Sequence, residues 1–139
     1  MSYLVLDASV MLRWVVDDEV PWVAARVRQL LVSEAWRALV PSLWHWEVAN
    51  ALVVAERRRA LAAGMPAAWV KVERWFAVVE TDHRPAAAVR DAVALARQYG
   101  LTTYDAAYLE LALRQPAPLA TLDLKLRGAA QARGVAVDF

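Results

Sequence analysis

The chain has 139 residues, the length of one ordinary domain, and 60% of them are hydrophobic while 22% are charged, which excludes a disordered chain. It contains no Cys and only two His, which excludes disulfides and thiolate metal sites and argues against a His-rich zinc site. The net charge of +1 favours no class of partner. The sequence shows neither a signal-peptide pattern nor a membrane-spanning stretch. We therefore expect a single cytoplasmic domain over residues 1–139 with no membrane contact.

Apolar strands alternate with helices along the whole predicted chain. The first half is predicted to contain, in order, a strand at 3–6, a helix at 8–16 ended by an acidic turn, a helix from Pro21 to about Ser33, a strand at 37–42 and a helix at 43–60. The second half is predicted to contain a helix at 66–77, a strand at 77–81, a helix from Pro85 to Gly100, a helix at 104–115 that Thr102 or Thr103 begins, a strand at 118–122, a helix at 123–133 and a strand at 135–139. This alternation is typical of a parallel sheet covered on both faces, so we predict an α/β fold.

Four acidic residues stand in apolar surroundings. Asp7 follows the first predicted strand, Glu47 lies in the long helix, Asp105 lies in "LTTYDAAYLELAL" and Asp123 follows the fourth predicted strand. Burying even a neutral polar group without a partner costs on the order of 2–7 kcal/mol, so these acids require compensation. Their spacing along the chain matches no linear metal motif, and only the fold can bring them together.

The three Asp residues also have a purely structural interpretation. Asp7 and Asp123 precede predicted helices, so each could be an N-cap. Thr102 and Asp105 have the spacing of a capping box. For each Asp considered alone, these local patterns leave open both a capping role and a role in a functional site.

Glu47 differs from the Asp residues because it lies inside a helix and has no cap to provide. Its structural alternative is an outward-facing side chain paired with Arg37 or His45, which we consider the weaker interpretation. Asn50 follows three residues later and is therefore expected on the same face of the helix.

The topology of an open α/β sheet favours a shared site for these acids. Ligands bind at the carboxyl ends of the strands in such sheets, where Asp7 and Asp123 are placed by the strands that they follow. Asp105 opens a helix that leads into the strand carrying Asp123, so it starts at the same edge. Only Lys125 offers a basic neighbour, and clustered carboxylates repel one another unless cations bind. Oxygen ligands of this kind favour Mg²⁺ or Mn²⁺ over zinc.

Polar residues accompany the acids in the sequence. Ser9 comes two residues after Asp7, and Thr121 two residues before Asp123. Together with Asn50 they are candidates for donors that orient the carboxylates. Ordinary capping is the alternative role.

At these residues the chain resembles the PIN-domain ribonucleases, and most closely the small VapC toxins of bacterial and archaeal toxin–antitoxin pairs. The segments "VLDASV", "WHWEVANAL", "GLTTYDAAYLELAL" and "LATLDLKL" look like the four acidic motifs of that family. The resemblance covers essentially the whole chain. It implies a single PIN domain with a five-stranded parallel sheet of order 3-2-1-4-5 and helices on both faces. It further implies one or two Mg²⁺ or Mn²⁺ ions, a homodimer and a cognate antitoxin that covers the acidic cleft. The residues it assigns to the metal are Asp7, Glu47, Asp105 and Asp123, with Ser9, Asn50 and Thr121 in support.

The activity that this resemblance implies is metal-dependent hydrolysis of RNA phosphodiester bonds. We expect single-stranded or loop RNA as the substrate, because a cleft at a sheet edge cannot enter the deep, narrow major groove of an A-form helix. Arg57, Arg58 and Arg59 are candidates for contacts to RNA phosphates. A solvated helix end that complements the helix dipole is their more favoured interpretation.

The chain contains seven Trp, more than a core of this size usually needs. Trp is enriched at protein interfaces, and the segment 14–54 is rich in Val, Leu and Trp. We therefore predict an antitoxin groove in this segment, with Trp14, Trp44 and Trp46 as candidate contacts. Core packing is the alternative for several of these side chains.

Three other functions were weighed against the nuclease. A haloacid-dehalogenase-like phosphatase would need a second Asp where Ser9 stands. A receiver domain could use Asp82 as its acceptor, but the accompanying Thr and Lys are not clearly placed. A catalytically weak PIN-fold module that binds RNA or serves as a scaffold is disfavoured, because all four acids are present.

Overall fold

The structure, a computed structural model, describes residues 2–16, 19–83 and 86–139. In these residues four strands form one sheet in the order β3-β2-β1-β4, and all of its pairings are parallel. The strands are β1 (Ser2–Leu6), β2 (Trp36–Pro41), β3 (Glu80–Asp82) and β4 (Leu119–Ala120). The predicted α/β fold with a parallel sheet is therefore confirmed.

Seven helices connect and cover the strands of the described chain. They are α1 (Ala8–Leu12), α2 (Trp22–Val32), α3 (Leu43–Arg57), α4 (Gly64–Phe76), α5 (Ala86–Tyr99), α6 (Thr103–Arg114) and α7 (Leu124–Ala132). Helices α1 to α4 pack against one another, as do α5 to α7. Every helix in the described ranges is too short or too polar to cross a lipid bilayer.

Several predicted boundaries shift for local reasons. Helix α1 ends at Leu12 instead of residue 16, because the next three backbone N–H groups bond to carbonyls only three residues back, as in tight turns. Helix α5 ends at Tyr99, where Gly100 adopts the left-handed region with φ of 66°, as predicted for a helix stop. The predicted acidic turn at Asp17 and Asp18 and the predicted helix start at Pro85 lie outside the described residues.

The predicted fifth strand at 135–139 is wrong. The backbone there forms a single parallel bridge between Leu119 and Ala136, with Leu119 N–H donating to Val135 O at 2.6 Å and Val137 N–H donating to Leu119 O at 3.2 Å. Strand β4 has only two residues, so it offers too little edge for a longer ladder. The segment still lies beside β4, where the order 3-2-1-4-5 places the last strand.

Strand β1 forms the centre of the core. Leu4, Val5 and Leu6 are all fully buried, so the strand lacks the alternation of a sheet with one wet face and is covered on both sides. At its carboxyl end Asp7 N–H donates to Ala120 O at 3.0 Å. This hydrogen bond makes β1 and β4 leave the sheet side by side, and it sets the position of the site described next.

Candidate active site

Asp7 is a buried carboxylate held by two hydroxyl groups. Its side chain is only 5% exposed. Ser9 Oγ donates to Asp7 Oδ2 at 2.7 Å, and Thr121 Oγ1 donates to the same oxygen at 2.6 Å. Asp7 occupies the N-cap position of α1 without a side-chain cap hydrogen bond of regular geometry, although the backbone of Ser9 in the first turn of that helix acts against the rise that burial causes in the pKa of the carboxyl. The two hydroxyl groups are thus the main partners of this side chain.

The two hydroxyl groups are themselves oriented by the backbone that follows β4. Leu122 N–H donates to Ser9 Oγ at 3.1 Å, and Asp123 N–H donates to Thr121 Oγ1 at 3.1 Å. A hydroxyl has one proton to donate, so each is left to give that proton to Asp7. Both hydroxyl donors reach Oδ2, and neither of them reaches Oδ1.

Glu47 is connected to Tyr108, a residue that the sequence analysis missed. Tyr108 is fully buried on α6, and its phenol donates a short hydrogen bond to Glu47 Oε1. Burial, together with the nearby charges of Asp7 and Glu47, raises the pKa of Tyr108, so the phenol keeps its proton. The sequence does contain one indication of this role. Tyr108 comes three residues after Asp105, so the two side chains lie on one face of the helix.

The two remaining acids combine a site position with a capping role. Thr102 Oγ1 accepts a hydrogen bond from Asp105 N–H at 3.1 Å at the start of α6. Asp123 Oδ1 accepts one from Leu126 N–H at 2.8 Å at the start of α7. The cap interpretation is thus confirmed for Thr102 and Asp123. Capping brings these residues to the carboxyl edge of the sheet, and Asp123 Oδ2 takes no part in its cap.

The four acids lie within one electrostatic field. Burial raises the pKa of Asp7 against the opposing effect of its two hydroxyl donors, and the charge of Asp123 adds to the rise. Burial also raises the pKa of Glu47, with further contributions from Asp7 and Asp105. The pKa of Asp105 rises for the same reasons, burial first and then the charges of Asp7 and Asp123. The carboxylates therefore repel one another across the site.

No Lys, Arg or His of the described residues forms an ion pair with these four acids. The pairs found there join Arg37 to Glu80 at 2.8 Å and Arg114 to Asp82 and Glu110. Because Arg37 is engaged by Glu80, the paired-surface alternative for Glu47 is not realised. Within the described ranges, the charge of the four acids is therefore not balanced by an ion pair.

The donor chemistry fits a hard divalent cation such as Mg²⁺ or Mn²⁺, because the four acids offer only oxygen atoms. The four carboxylates do not by themselves form a complete coordination sphere, however. Within residues 2–16, 19–83 and 86–139, no three His, Cys, Asp or Glu side chains are grouped closely enough to hold a metal ion by themselves. Water or substrate oxygens would have to complete the coordination, as is common for Mg²⁺.

The other predicted site residues lie on α3 or just after it. Asn50 is exposed. Arg57 ends the helix ten residues after Glu47, about 15 Å along its axis. Arg58 and Arg59 follow it and are exposed. The three Arg residues thus stand at the end of α3 remote from the acids.

The three candidate tryptophans have different environments. Trp44 is fully buried and packs on Phe76 with ring centroids 5.3 Å apart, so its predicted place in a surface groove is wrong. Trp46 is 80% exposed. Trp14 is half-buried and lines a groove of about 900 Å³ whose other walls include Trp36 and Trp75. This groove lies at the amino-terminal ends of β2 and β3, whereas the acids lie at the carboxyl-terminal edge of the sheet.

Comparison with known proteins shows which family, relatives and solved structures this chain is similar to. Residues 4–132 match the family model of the PIN domain. Ribonuclease VapC3 of Pyrobaculum aerophilum is 37% identical over 124 residues, which cover 88% of this chain and 91% of the relative. A toxin–antitoxin complex from Klebsiella pneumoniae shares the fold with a TM-score of 0.64 at 16% identity, over 97% of this chain and 96% of that one. VapC20 of Mycobacterium tuberculosis, described as a sarcin–ricin-loop-cleaving toxin, has a TM-score of 0.65 at 14% identity, with 96% of each chain covered.

Proposed function

The chain belongs to the PIN-domain family, and from this premise we propose that it is a VapC-type ribonuclease that hydrolyses single-stranded or loop RNA with Mg²⁺ or Mn²⁺. The observation that carries the proposal is the environment of Asp7. Its buried carboxylate is oriented by Ser9 and Thr121, its pKa is raised further by the charge of Asp123, and no described Lys, Arg or His forms an ion pair with it. An arrangement of this kind favours a bound divalent cation over a structural ion pair.

In this proposal the acids Asp7, Glu47, Asp105 and Asp123 hold the cation. When bound, the cation supplies positive charge for the scissile phosphate and lowers the pKa of a water molecule. Ser9 and Thr121 donate to one oxygen of Asp7 and leave the other to the cation. Neither a His nor a Cys nucleophile is required, in agreement with the scarcity of these residues.

Tyr108 fixes Glu47 in this mechanism. The phenol keeps its proton and holds Glu47 Oε1, so Glu47 Oε2 is the oxygen that remains for a cation or a water molecule. Because the hydrogen bond joins α6 to α3, the position of Glu47 is coupled to that of Asp105 on the same helix as Tyr108.

The proposed substrate class is supported by the position of the site at a sheet edge and by the names of the relatives. A cleft at the edge of a sheet can receive an unpaired strand, whereas an A-form duplex buries its base edges in a narrow major groove. The relative from Pyrobaculum aerophilum is called a ribonuclease, and the neighbour from Mycobacterium tuberculosis is described as cleaving an RNA loop. The first name supports RNA as the substrate here, and the second supports cleavage within a loop.

The proposal also includes an antitoxin partner and a homodimer. A structural neighbour is a toxin–antitoxin complex, which supports a role as the toxin of such a pair. The groove lined by Trp14 is the candidate surface for the antitoxin, and it also presents Arg28, Lys71 and Arg74. A partner segment that combines apolar and acidic side chains would suit this lining.

The decisive experiment is an Mn²⁺-dependent cleavage assay on total RNA with mapped ends. The wild-type chain is expected to cut, and Asp105→Asn is expected to lose cutting while keeping its fold. Asp91→Asn is the matched control, because Asp91 is an exposed acid on α5 whose loss changes the net charge equally. Equal cleavage by the wild-type chain and Asp105→Asn would show that the assigned site is not the active one.

A further inference from the structure

Large apolar side chains are unusually exposed at one edge of this molecule. In the described part of the chain the four most exposed are Leu124 at 81%, Trp46 at 80%, Trp22 at 72% and Tyr104 at 65%. Three of them directly adjoin an acid of the site in sequence. These three, Trp46, Tyr104 and Leu124, are called the apolar rim below, and they adjoin Glu47, Asp105 and Asp123 respectively.

The fold places the apolar rim around the acids. Each member lies in the first turn of its helix, α3, α6 or α7. Helices α3 and α7 directly follow β2 and β4, so they begin at the carboxyl edge of the sheet. Helix α6 begins where Asp105 is within the field of Asp7 and Asp123. The rim and the acids therefore share one edge.

The fold does not use the two aromatic members for packing. On α3 the flanking Trp44 and Val48 are both fully buried and supply the core contacts, whereas Trp46 is exposed. On α6 the core aromatic is Tyr108, and Tyr104 is exposed. Large apolar side chains left in water forgo the favourable free energy of burial. A binding role would explain why they are exposed here.

We propose that Trp46 and Tyr104 stack on unpaired bases of the RNA next to the phosphate held at the acids; this inference rests on the proposed ribonuclease function. Aromatic side chains provide sequence-tolerant platforms for single-stranded nucleic acid, because every base has a π-face. Two platforms on different helices would hold the bases on either side of the cleaved bond.

The proposed ribonuclease function favours a nucleic acid over a protein as the occupant, because a divalent cation bound at the acids would offset their repulsion of RNA phosphates. The cores of protein interfaces are depleted of charged residues, whereas each rim member adjoins Glu47, Asp105 or Asp123 in sequence. Isolated aromatic rings among polar groups suit bases that present a flat apolar face and polar edges. A protein partner on the rim is therefore an outcome for the test to detect.

The test measures RNA binding by the full chain in an Asp7→Asn background, which disables the proposed site and keeps the RNA intact. Two probes are compared in Mn²⁺ by fluorescence anisotropy, a short labelled single-stranded oligoribonucleotide of mixed sequence and its abasic counterpart. Trp46→Ala and Tyr104→Ala are each expected to weaken binding of the base-bearing probe about 5- to 100-fold and to leave the abasic probe unaffected. Trp46→Phe should retain binding, and Trp46→Leu should lose it.

Trp22→Ala is the matched control, because Trp22 is a comparably exposed tryptophan in the first turn of α2 that adjoins no acid. Equal affinity for the two probes, full binding by Trp46→Leu, or an equal loss in Trp22→Ala would each overturn the proposal. A change in oligomeric state on sedimentation with unchanged RNA affinity would assign the rim to a protein contact and overturn it as well. Failure of the ribonuclease function is read separately, as absence of Mn²⁺-dependent cleavage by the wild-type chain.

Discussion

The buried phenol of Tyr108 donates a hydrogen bond to Glu47 and so joins the central helix α6 to α3 at the edge where the acids meet. Tyr108 also follows Asp105 by one helical turn, so one helix positions two of the four acids. Its hydroxyl stays protonated because burial and the neighbouring carboxylates raise the pKa of the phenol. Glu47 therefore has a permanent donor on one oxygen.

Replacing Tyr108 with Phe is expected to lower Mn²⁺ affinity and cleavage about 10- to 100-fold, the usual effect of losing a donor that orients a ligand. The ring is retained, so the core should remain filled. Calorimetric Mn²⁺ titration and single-turnover cleavage measure the two effects. Tyr3→Phe is the control, because it removes a phenol that donates to Glu80 at 3.3 Å, away from the acids. Equal losses in both variants would indicate a general effect on folding.

Thr121 provides a second test of how Asp7 is oriented. Thr121→Val keeps the shape of the side chain but removes the proton donated to Asp7 Oδ2 and the acceptor for Asp123 N–H. A buried polar group that loses its partner costs about 1–3 kcal/mol, and we expect a loss of that size in the free energy of unfolding together with weaker Mn²⁺ binding. Thr121→Ser should restore both. The half-buried Thr81 of β3, replaced by Val, is the control; a wild-type Mn²⁺ affinity in Thr121→Val would contradict the assigned role.

The raised pKa values predict how the metal-free chain responds to pH. The pKa of Glu47 and of Asp105 is higher in the folded state than in the unfolded chain, so folding favours their protonated forms. The stability that they contribute is present below the unfolded pKa of about 4 and is lost as the pH rises through the folded pKa. Glu47→Gln removes one of these groups and keeps an oxygen for Tyr108.

Thermal unfolding in EDTA at about pH 3.5 and pH 7.5 measures this difference. Relative to the wild-type chain, Glu47→Gln is expected to gain stability at the higher pH and to change little at the lower one. Mg²⁺ should stabilise the wild-type chain at neutral pH, since it binds the charged carboxylates of the folded state. Glu56→Gln is the control, because Glu56 is exposed on α3. The same pH response in both variants would refute the electrostatic account.

Much of the site was predictable because the sheet topology fixes where strands end. Asp7 and Asp123 follow buried strands, and parallel pairing of β1 with β4 brings those ends together. The structural and functional interpretations of Asp123 coincide because an N-cap must lie at the same edge. Tyr108 was not predictable in this way, since a Tyr in an apolar helix resembles an ordinary core residue until its partner Glu47 is placed.

The tryptophans show the limit of reasoning from composition. Trp44 and Trp46 are two residues apart, yet one is fully buried and the other 80% exposed. Their spacing turns them about 200° apart on a helix, but which one faces the core depends on the docking of α3 against α1 and α4. The fifth strand failed for a comparable reason, because the two-residue length of β4 depends on how the chain around Thr121 packs against Asp7, which the sequence pattern does not reveal.

Arg114 offers a test that separates the stability of the fold from the chemistry of the site. Its guanidinium contacts Asp82 at 2.7 Å and Glu110 at 2.8 Å, and it connects the end of α6 to β3. Breaking a buried ion pair by removing one partner costs about 3–5 kcal/mol. Because Arg114 is partly exposed, we expect Arg114→Met to lower the free energy of unfolding by about 3 kcal/mol. Arg114→Lys should lose nearly as much, because an ammonium cannot reproduce the bidentate fork.

Denaturant unfolding measures this loss, and Arg97→Met is the control because Arg97 is exposed on the neighbouring helix α5. At temperatures where Arg114→Met is still folded, its Mn²⁺ affinity and cleavage should match the wild-type values, since none of the four acids contacts Arg114 in the described structure. A large loss of activity in the folded variant would mean that the end of α6 controls the placement of Asp105 and Tyr108 at its beginning. An unchanged free energy of unfolding would instead show that this ion cluster does not stabilise the fold.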